Sequence, residues 1–427
     1  MICRRHCLWV LATLSFHGPT VAQPEAGLPT SRDSLELLLT DNLIPFWYPG
    51  VVDLVNGGYR LNHDRDGRYL GAAAKQIESQ AGTLWFFARL ARSPFGNEQH
   101  LAAARHGFEF LRDHMWDREF GGFFWEIDST AVVASKPHKE IAAQARALNA
   151  LSQFIMTTPD PSALQLASAL FGRLEQYGYD RSLGGYREFL RRDWASMPHQ
   201  IRSYSGRRAA DKSLRTHLHL LEAFTAYYQV TADELVRDRL LELILIQVNA
   251  MGDSSLAYDN DWRPLADGTS TLRDPAHDLE AVWLVAEACE VAGLPISPLV
   301  PRFARETTRA IERGFDRRNG GFSSSLAGGQ SGRKFWWQQA EGLVATLYIF
   351  DLTGDAVYLT AFSGTLGWIL GAQADRTRGG WHAVVDPERV EGKKASARKT
   401  PFEVSRALFR TLEIVETLSQ EGTSSLH

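Results

Sequence analysis

Five copies of Asp-x-x-x-Gly-Gly-aromatic run through the chain, and they constrain its fold more than any other feature. They span Asp53 to Tyr59, Asp117 to Phe123, Asp180 to Tyr186, Asp316 to Phe322 and Asp375 to Trp381. Their first glycines, 57, 121, 184, 320 and 379, are separated by 64, 63, 136 and 59 residues. The longest gap is twice the usual one, so a sixth, decayed copy is expected near Gly252-Asp253. Six units of about 60–68 residues indicate a repeat architecture. Paired glycines accept positive φ, an aspartate can bond to the turn backbone, and the aromatic can pack the turn down.

Between the turns the apolar spacing is helical. Ala142, Ala145, Leu148, Leu151 and Phe154 recur at helical spacing, every third residue. Leu101 to Met115, Leu164 to Leu174, Leu235 to Val248, Phe303 to Ile311 and Tyr358 to Leu370 behave likewise. Each unit therefore holds one helix before its turn and one after. Six helical hairpins closed into a ring bury every apolar face without terminal caps. The expected fold is all-α, an (α/α)6 toroid over residues 33–418 with a tail at 419–427; an open solenoid is the alternative.

The composition agrees. Of 427 residues, 44% are hydrophobic and 12 are Trp, enough for a large core. The net charge of −4 and the lack of a long basic run give no reason to expect a nucleic-acid partner. Arg4 and Arg5, the apolar run Cys7 to Phe16 and Thr20-Val21-Ala22 read as a secretory signal peptide, residues 1–22. The mature chain would be periplasmic or secreted and would begin near Gln23. No later stretch is apolar enough to span a membrane. Cys289 is then the only cysteine left, and no CxxC or HExxH spacing suggests a metal.

The helix after each turn begins with polar and aromatic residues inside an apolar pattern. The stretch DPAHDLEAVW, Asp274 to Trp283, is the densest: His277, Glu280 and Trp283 share a helix face, and Asp278 suits the positive helix end. A histidine beside carboxylates can act as acid or base near neutral pH. A capped helix with a hydrogen-bonded histidine is the plainer reading. In a closed ring the six helix starts converge on one mouth. They would line a funnel with His219, His277, Glu280, Trp283, Trp337, Glu341, Glu403 and Arg406, a mixture suited to carbohydrates.

Several motifs resemble the N-acylglucosamine 2-epimerase superfamily. They are GGFFWEID at 121–128, FLRRDW at 189–194, THLHLLEAF at 216–224, HDLEAVWL at 277–284, FWWQQAE at 335–341 and KTPFEVSR at 399–406. The resemblance implies an (α/α)6 barrel, a mono- or oligosaccharide substrate and no cofactor. It implies proton transfer at C2 of an open-chain aldose through an enediol, giving the 2-epimer or the ketose. His277 would be one of the acid/base pair, and His219 would assist ring opening or bind hydroxyls. Glu280, Glu341 and Arg406 would support them, and Trp283 and Trp337 would stack on the sugar.

Four positions depart from the family pattern. Glu403 stands where a second catalytic His is usual, Gly82 where an Arg is, Ala142 where a Tyr is, and Arg215 where an Asn is. Arg146 or Arg215 could replace the lost positive charge. Three functions follow: an epimerase or isomerase with a modified site, a glycoside-cleaving enzyme using paired carboxylates, or an inactive sugar-binding relative. A single chain and a homodimer both remain open.

Overall fold

In the structure, a computed structural model, residues 28–424 are described apart from 210, 252–256, 260, 266–273, 325–331 and 387–388. The signal segment and the position expected for the sixth turn lie outside the described residues. Thirteen helices are seen among the described ones. They are α1 (Leu28–Leu37), α2 (Ile44–Trp47), α3 (Ile77–Arg92), α4 (Glu98–Phe110), α5 (Ile141–Thr157), α6 (Pro161–Arg173) and α7 (Leu214–Thr231). The rest are α8 (Glu234–Ala250), α9 (Pro275–Val291), α10 (Val300–Gly314), α11 (Trp336–Thr353), α12 (Ala356–Trp368) and α13 (Phe402–Ser424).

Helices α3, α5, α7, α9, α11 and α13 each pack on the next, and α13 returns to α3. That closed inner ring, with an outer helix on each member, is the expected (α/α)6 toroid. In space each inner helix pairs with the outer helix that follows it, and α13 pairs with α1 from the other end of the chain. α1 lies along α13, which runs on to Ser424. Asn97, Asp160, Asp233 and Asp355 start four outer helices by accepting the first free backbone N–H groups. Among the described residues, no helix is long and apolar enough to cross a membrane.

Each glycine turn is locked in the same way. Asp117 Oδ1 accepts the backbone N–H groups of Glu119 and Phe120, and its Oδ2 takes a 3.0 Å bond from buried Lys139. Lys75, Lys212, Lys334 and Lys394 repeat that ion pair with Asp53, Asp180, Asp316 and Asp375. The aromatic after the glycines is held by the inner helix. Gln144 accepts the Phe123 N–H and donates to its carbonyl, and Gln80 and Gln339 do the same for Tyr59 and Phe322. A Cβ on Gly58 would lie 2.5 Å from Gln80 Oε1, so the second glycine is needed for this approach. Two-residue strands add a rim around the mouth. Lys75-Gln76, just before α3, pairs antiparallel with Glu126-Ile127 beyond the next turn, and the pattern recurs around the ring.

In the third unit His217 takes the glutamine's place. Its Nε2 accepts the Tyr186 N–H at 2.9 Å, and its Nδ1 donates to the Ser213 carbonyl at 2.7 Å. That geometry needs the neutral ring, and burial first, then Lys212, pushes its pKa down from 6.5 to about 4. The unfolded chain protonates first as pH falls, so stability should drop between about pH 6.5 and pH 4. The loss should approach about 3 kcal/mol at about 1.4 kcal/mol per unit. His217→Gln, which copies the other units, should remove that part of the pH dependence in urea denaturation. An unchanged slope would show that His217 is not its source.

Candidate active site

The six inner helices enter the lumen from the same mouth, and α3, α5, α7 and α11 each follow directly on a two-residue strand. Lumen-facing residues then recur at three- and four-residue steps, so the wall is built in layers, one residue per helix. The outermost layer carries His277 on α9, Trp337 on α11 and Glu403 on α13, all half-buried, with Arg215 exposed at the rim of α7. The layer beneath carries Arg146 on α5, His219 on α7, Glu280 on α9, Glu341 on α11 and Arg406 on α13, with Gly82 on α3.

Arg406 ties this second layer together. It donates to Glu222 Oε1 at 2.6 Å, Glu280 Oε1 at 3.0 Å and Glu341 Oε1 at 2.6 Å. Arg146 donates to the other Glu222 oxygen at 3.1 Å. Two guanidiniums thus face three carboxyls, leaving one acid without a counter-charge. Glu341 is the one that burial pushes up to about 8, opposed by Arg406 and helped by Glu280. Burial would raise Glu280 too, but Arg406 and His277 outweigh it and hold that carboxyl below its ordinary range.

His219 lies in the same layer. Burial first, then the nearby Arg146, Arg215, Arg406 and His277, pushes its pKa well below the usual range. A neutral imidazole can give or accept a hydrogen bond, and His219 Nδ1 has no protein partner. In the outer layer the His277 ring sits 4.8 Å from the Trp337 ring, and Glu403 Oε2 is buried without a hydrogen-bond partner. Lys399 stands close enough for the Glu403 charge to act on it. Burial drives Lys399 down to about 7, with Glu403 opposing, and its Nζ donates to the Lys394 carbonyl at 3.0 Å.

The structure corrects one expectation. Trp283 offers no face for sugar stacking at the mouth: it is 2% exposed, its Nε1 donates to Glu341 Oε2 at 2.9 Å, and Arg406 lies 4.9 Å from its ring. Asp278 stands in the first turn of α9, as expected, and pairs with Arg313, while Asp274 caps the helix through the Ala276 N–H, with Pro275 in the first turn. Of the two replacement cations, Arg146 enters the buried network and Arg215 reaches the site only through its field.

The vacated arginine position has a packing counterpart. A Cβ on Gly82 would meet Phe402 Cβ at 3.1 Å, and the Phe402 ring lies 3.7 Å beneath Arg146 and 5.0 Å from Trp85. Phe402 and Arg146 together fill that side of the funnel. Sequence reasoning also passed over Glu222. It stands three residues after His219, the spacing of His277 and Glu280, and that repetition on adjacent helices was the available signal.

A closed helical ring with histidines, carboxylates and two arginines converging on its lumen is the architecture of a class of enzymes that act on sugars. The N-acylglucosamine 2-epimerase family model matches residues 57–402, and the chain belongs to that family. It is an enzyme of the carbohydrate epimerase and isomerase kind. A cellobiose 2-epimerase of Bacteroides fragilis is 30% identical over 337 residues, 76% of this chain and 83% of that protein. A D-mannose isomerase of Thermobifida fusca is 26% identical over 67% of this chain and 72% of its own. The solved cellobiose 2-epimerase of Spirochaeta thermophila superposes with a TM-score of 0.81 at 30% identity, covering 94% of this chain and all of its own.

Proposed function

We propose that the mouth binds the reducing end of an aldose, of the cellobiose, glucose or mannose type, and moves its C2 proton. The observation that carries this reading is the placement of His277 and Glu403 on two inner helices in the outermost layer, above a floor holding His219, Arg146 and Arg406. The reaction begins with the open-chain aldehyde, whose ring opening His219 assists as a neutral hydrogen-bond partner. One of the outer pair, His277 or Glu403, takes the C2 proton. The C–H electrons form the C1–C2 double bond, and the carbonyl oxygen is protonated to give the enediol. The other member returns a proton to the opposite face of C2 while O1–H gives up its proton to restore the aldehyde, which gives the 2-epimer; protonation at C1 with loss of the O2 proton gives the ketose. A glutamate is a competent acid or base here because proton transfer asks for position and a matched pKa rather than for an imidazole. Trp337 supplies a stacking wall, and Glu280, held charged, steadies a cationic His277.

Glycoside cleavage is less well supported. It needs one acid and one base flanking the bond; the pair would be Glu403 with Glu280 or Glu341, and both of the latter are bonded to Arg406. A secreted or periplasmic location is part of the same proposal, and N-terminal sequencing of the mature protein should start near Gln23; an intact Met1 would contradict it. Incubating the purified chain with cellobiose, glucose and mannose, and separating the products, tests the activity. A 2-epimer or ketose is the expected product. Saturable sugar binding with no product would favour the inactive relative.

A further inference from the structure

The lumen continues below the ionic floor. A cavity of about 370 Å³ lies among the C-terminal halves of α3, α5, α7 and α9 and the N-terminal half of the longer α13, on the side away from the mouth. That volume falls in the range of small-molecule sites, roughly 300–1,000 Å³. Asn149 and Gln153, one helical turn apart on α5, line it and are 3% and 6% exposed. Their amide nitrogens, Nδ2 and Nε2, have no hydrogen-bond partner. An unsatisfied buried donor costs about 1–3 kcal/mol, so two side by side mark a place where acceptor oxygens belong.

Most of the charges on the same wall are engaged with one another; Glu287, whose pKa burial raises, feels the field of Arg410, and the exposed Arg92 donates to Met156 Sδ. Arg406 is held by its three glutamates, Arg89 by Glu413, and Arg410 by Glu413 and Glu290. No buried arginine on this wall is left for an anion. What the wall presents instead is amide donors beside the indole of Trp85. That pairing suits a small neutral molecule with many hydroxyls, whose oxygens meet the amides and whose C–H face meets the ring.

We propose that this lower chamber is a second binding site, for a small neutral polyol, separate from the catalytic mouth. Glu222, Trp283 and Arg406 belong both to its wall and to the floor of the mouth. A ligand there presses on the network that holds Glu280 and Glu341, so occupancy of the two sites is coupled, and reciprocally.

Calorimetric titration of the full chain with sorbitol, which has no aldehyde to react, tests this directly and needs no turnover. Failure of the epimerase reading would therefore leave the result standing. Sorbitol binding should weaken about tenfold or more in Gln153→Leu, the effect of about 1.4 kcal/mol, and should persist in the mouth variant Trp337→Ala. Asn149→Ser serves as the second variant should Gln153→Leu fail to fold, with circular dichroism as the check. No saturable binding in the parent chain would overturn the proposal. So would binding lost in Trp337→Ala but kept in the α5 variants, or inorganic phosphate displacing sorbitol from the α5-dependent site.

Discussion

Arg406→Met should destabilise the ring by about 3–5 kcal/mol, the cost of removing one partner from a buried ionic group. The guanidinium bridges carboxyls from three different helices, α7, α9 and α11, while itself belonging to α13. Without it, three buried acids face Arg146 alone. They can relieve the repulsion only by taking up protons. Acids whose folded pKa values rise contribute stability that is lost as pH increases. The deficit in Arg406→Met should therefore be smaller near pH 5 than near pH 8, which urea denaturation at the two pH values would read. Arg406→Lys should recover only a fraction, because one ammonium cannot serve three carboxyls with the guanidinium's fork of donors. A variant as stable as the parent at both pH values would mean that the floor is not held by this residue.

Glu403→Gln should lower turnover by about 10²–10⁴-fold, the usual contribution of a positioned acid or base. The amide keeps the shape and hydrogen-bonding reach of the carboxylate but cannot take a proton. Sugar binding should change little, so the loss should fall on kcat rather than on KM. Glu403→His restores the residue usual at this position in the family and should retain part of the activity. Its surroundings suit a proton-handling group, since one carboxylate oxygen has no hydrogen-bond partner and the buried Lys399 lies within reach of its charge. Near-normal turnover in Glu403→Gln would remove Glu403 from the mechanism and leave His277 without its partner.

The ring was legible because its cause is local and repeated. Each Asp-x-x-x-Gly-Gly-aromatic turn reverses the chain through backbone angles that the glycines allow, and the spacing alone counts the units. The buried Lys that locks the turn stands two residues before α3, α5, α7 and α11, but it went unread, because an aspartate–lysine pair looks ordinary until both are seen buried. The two-residue strands were beyond any periodicity argument. The site was legible as a set of helix starts but not as a division of labour. Gln80, Gln144 and Gln339 sit in the same motifs as the candidate catalytic residues, yet they hold turns. Trp283 looked like a sugar platform and serves Glu341 instead. In each case the deciding fact is which way a side chain points from its helix, into the lumen or toward the neighbouring turn, and that depends on the ring being closed.

The most direct test of the account is hydrogen exchange at C2. Cellobiose, glucose and mannose are incubated with the enzyme in heavy water, and the recovered sugars are read by proton NMR. The account predicts deuterium at C2 of a substrate sugar and of its 2-epimer, with His277→Asn reducing the label about 10²-fold or more. Glucose released from cellobiose with no label at C2, or sugar binding with no exchange in any of the three, would contradict it.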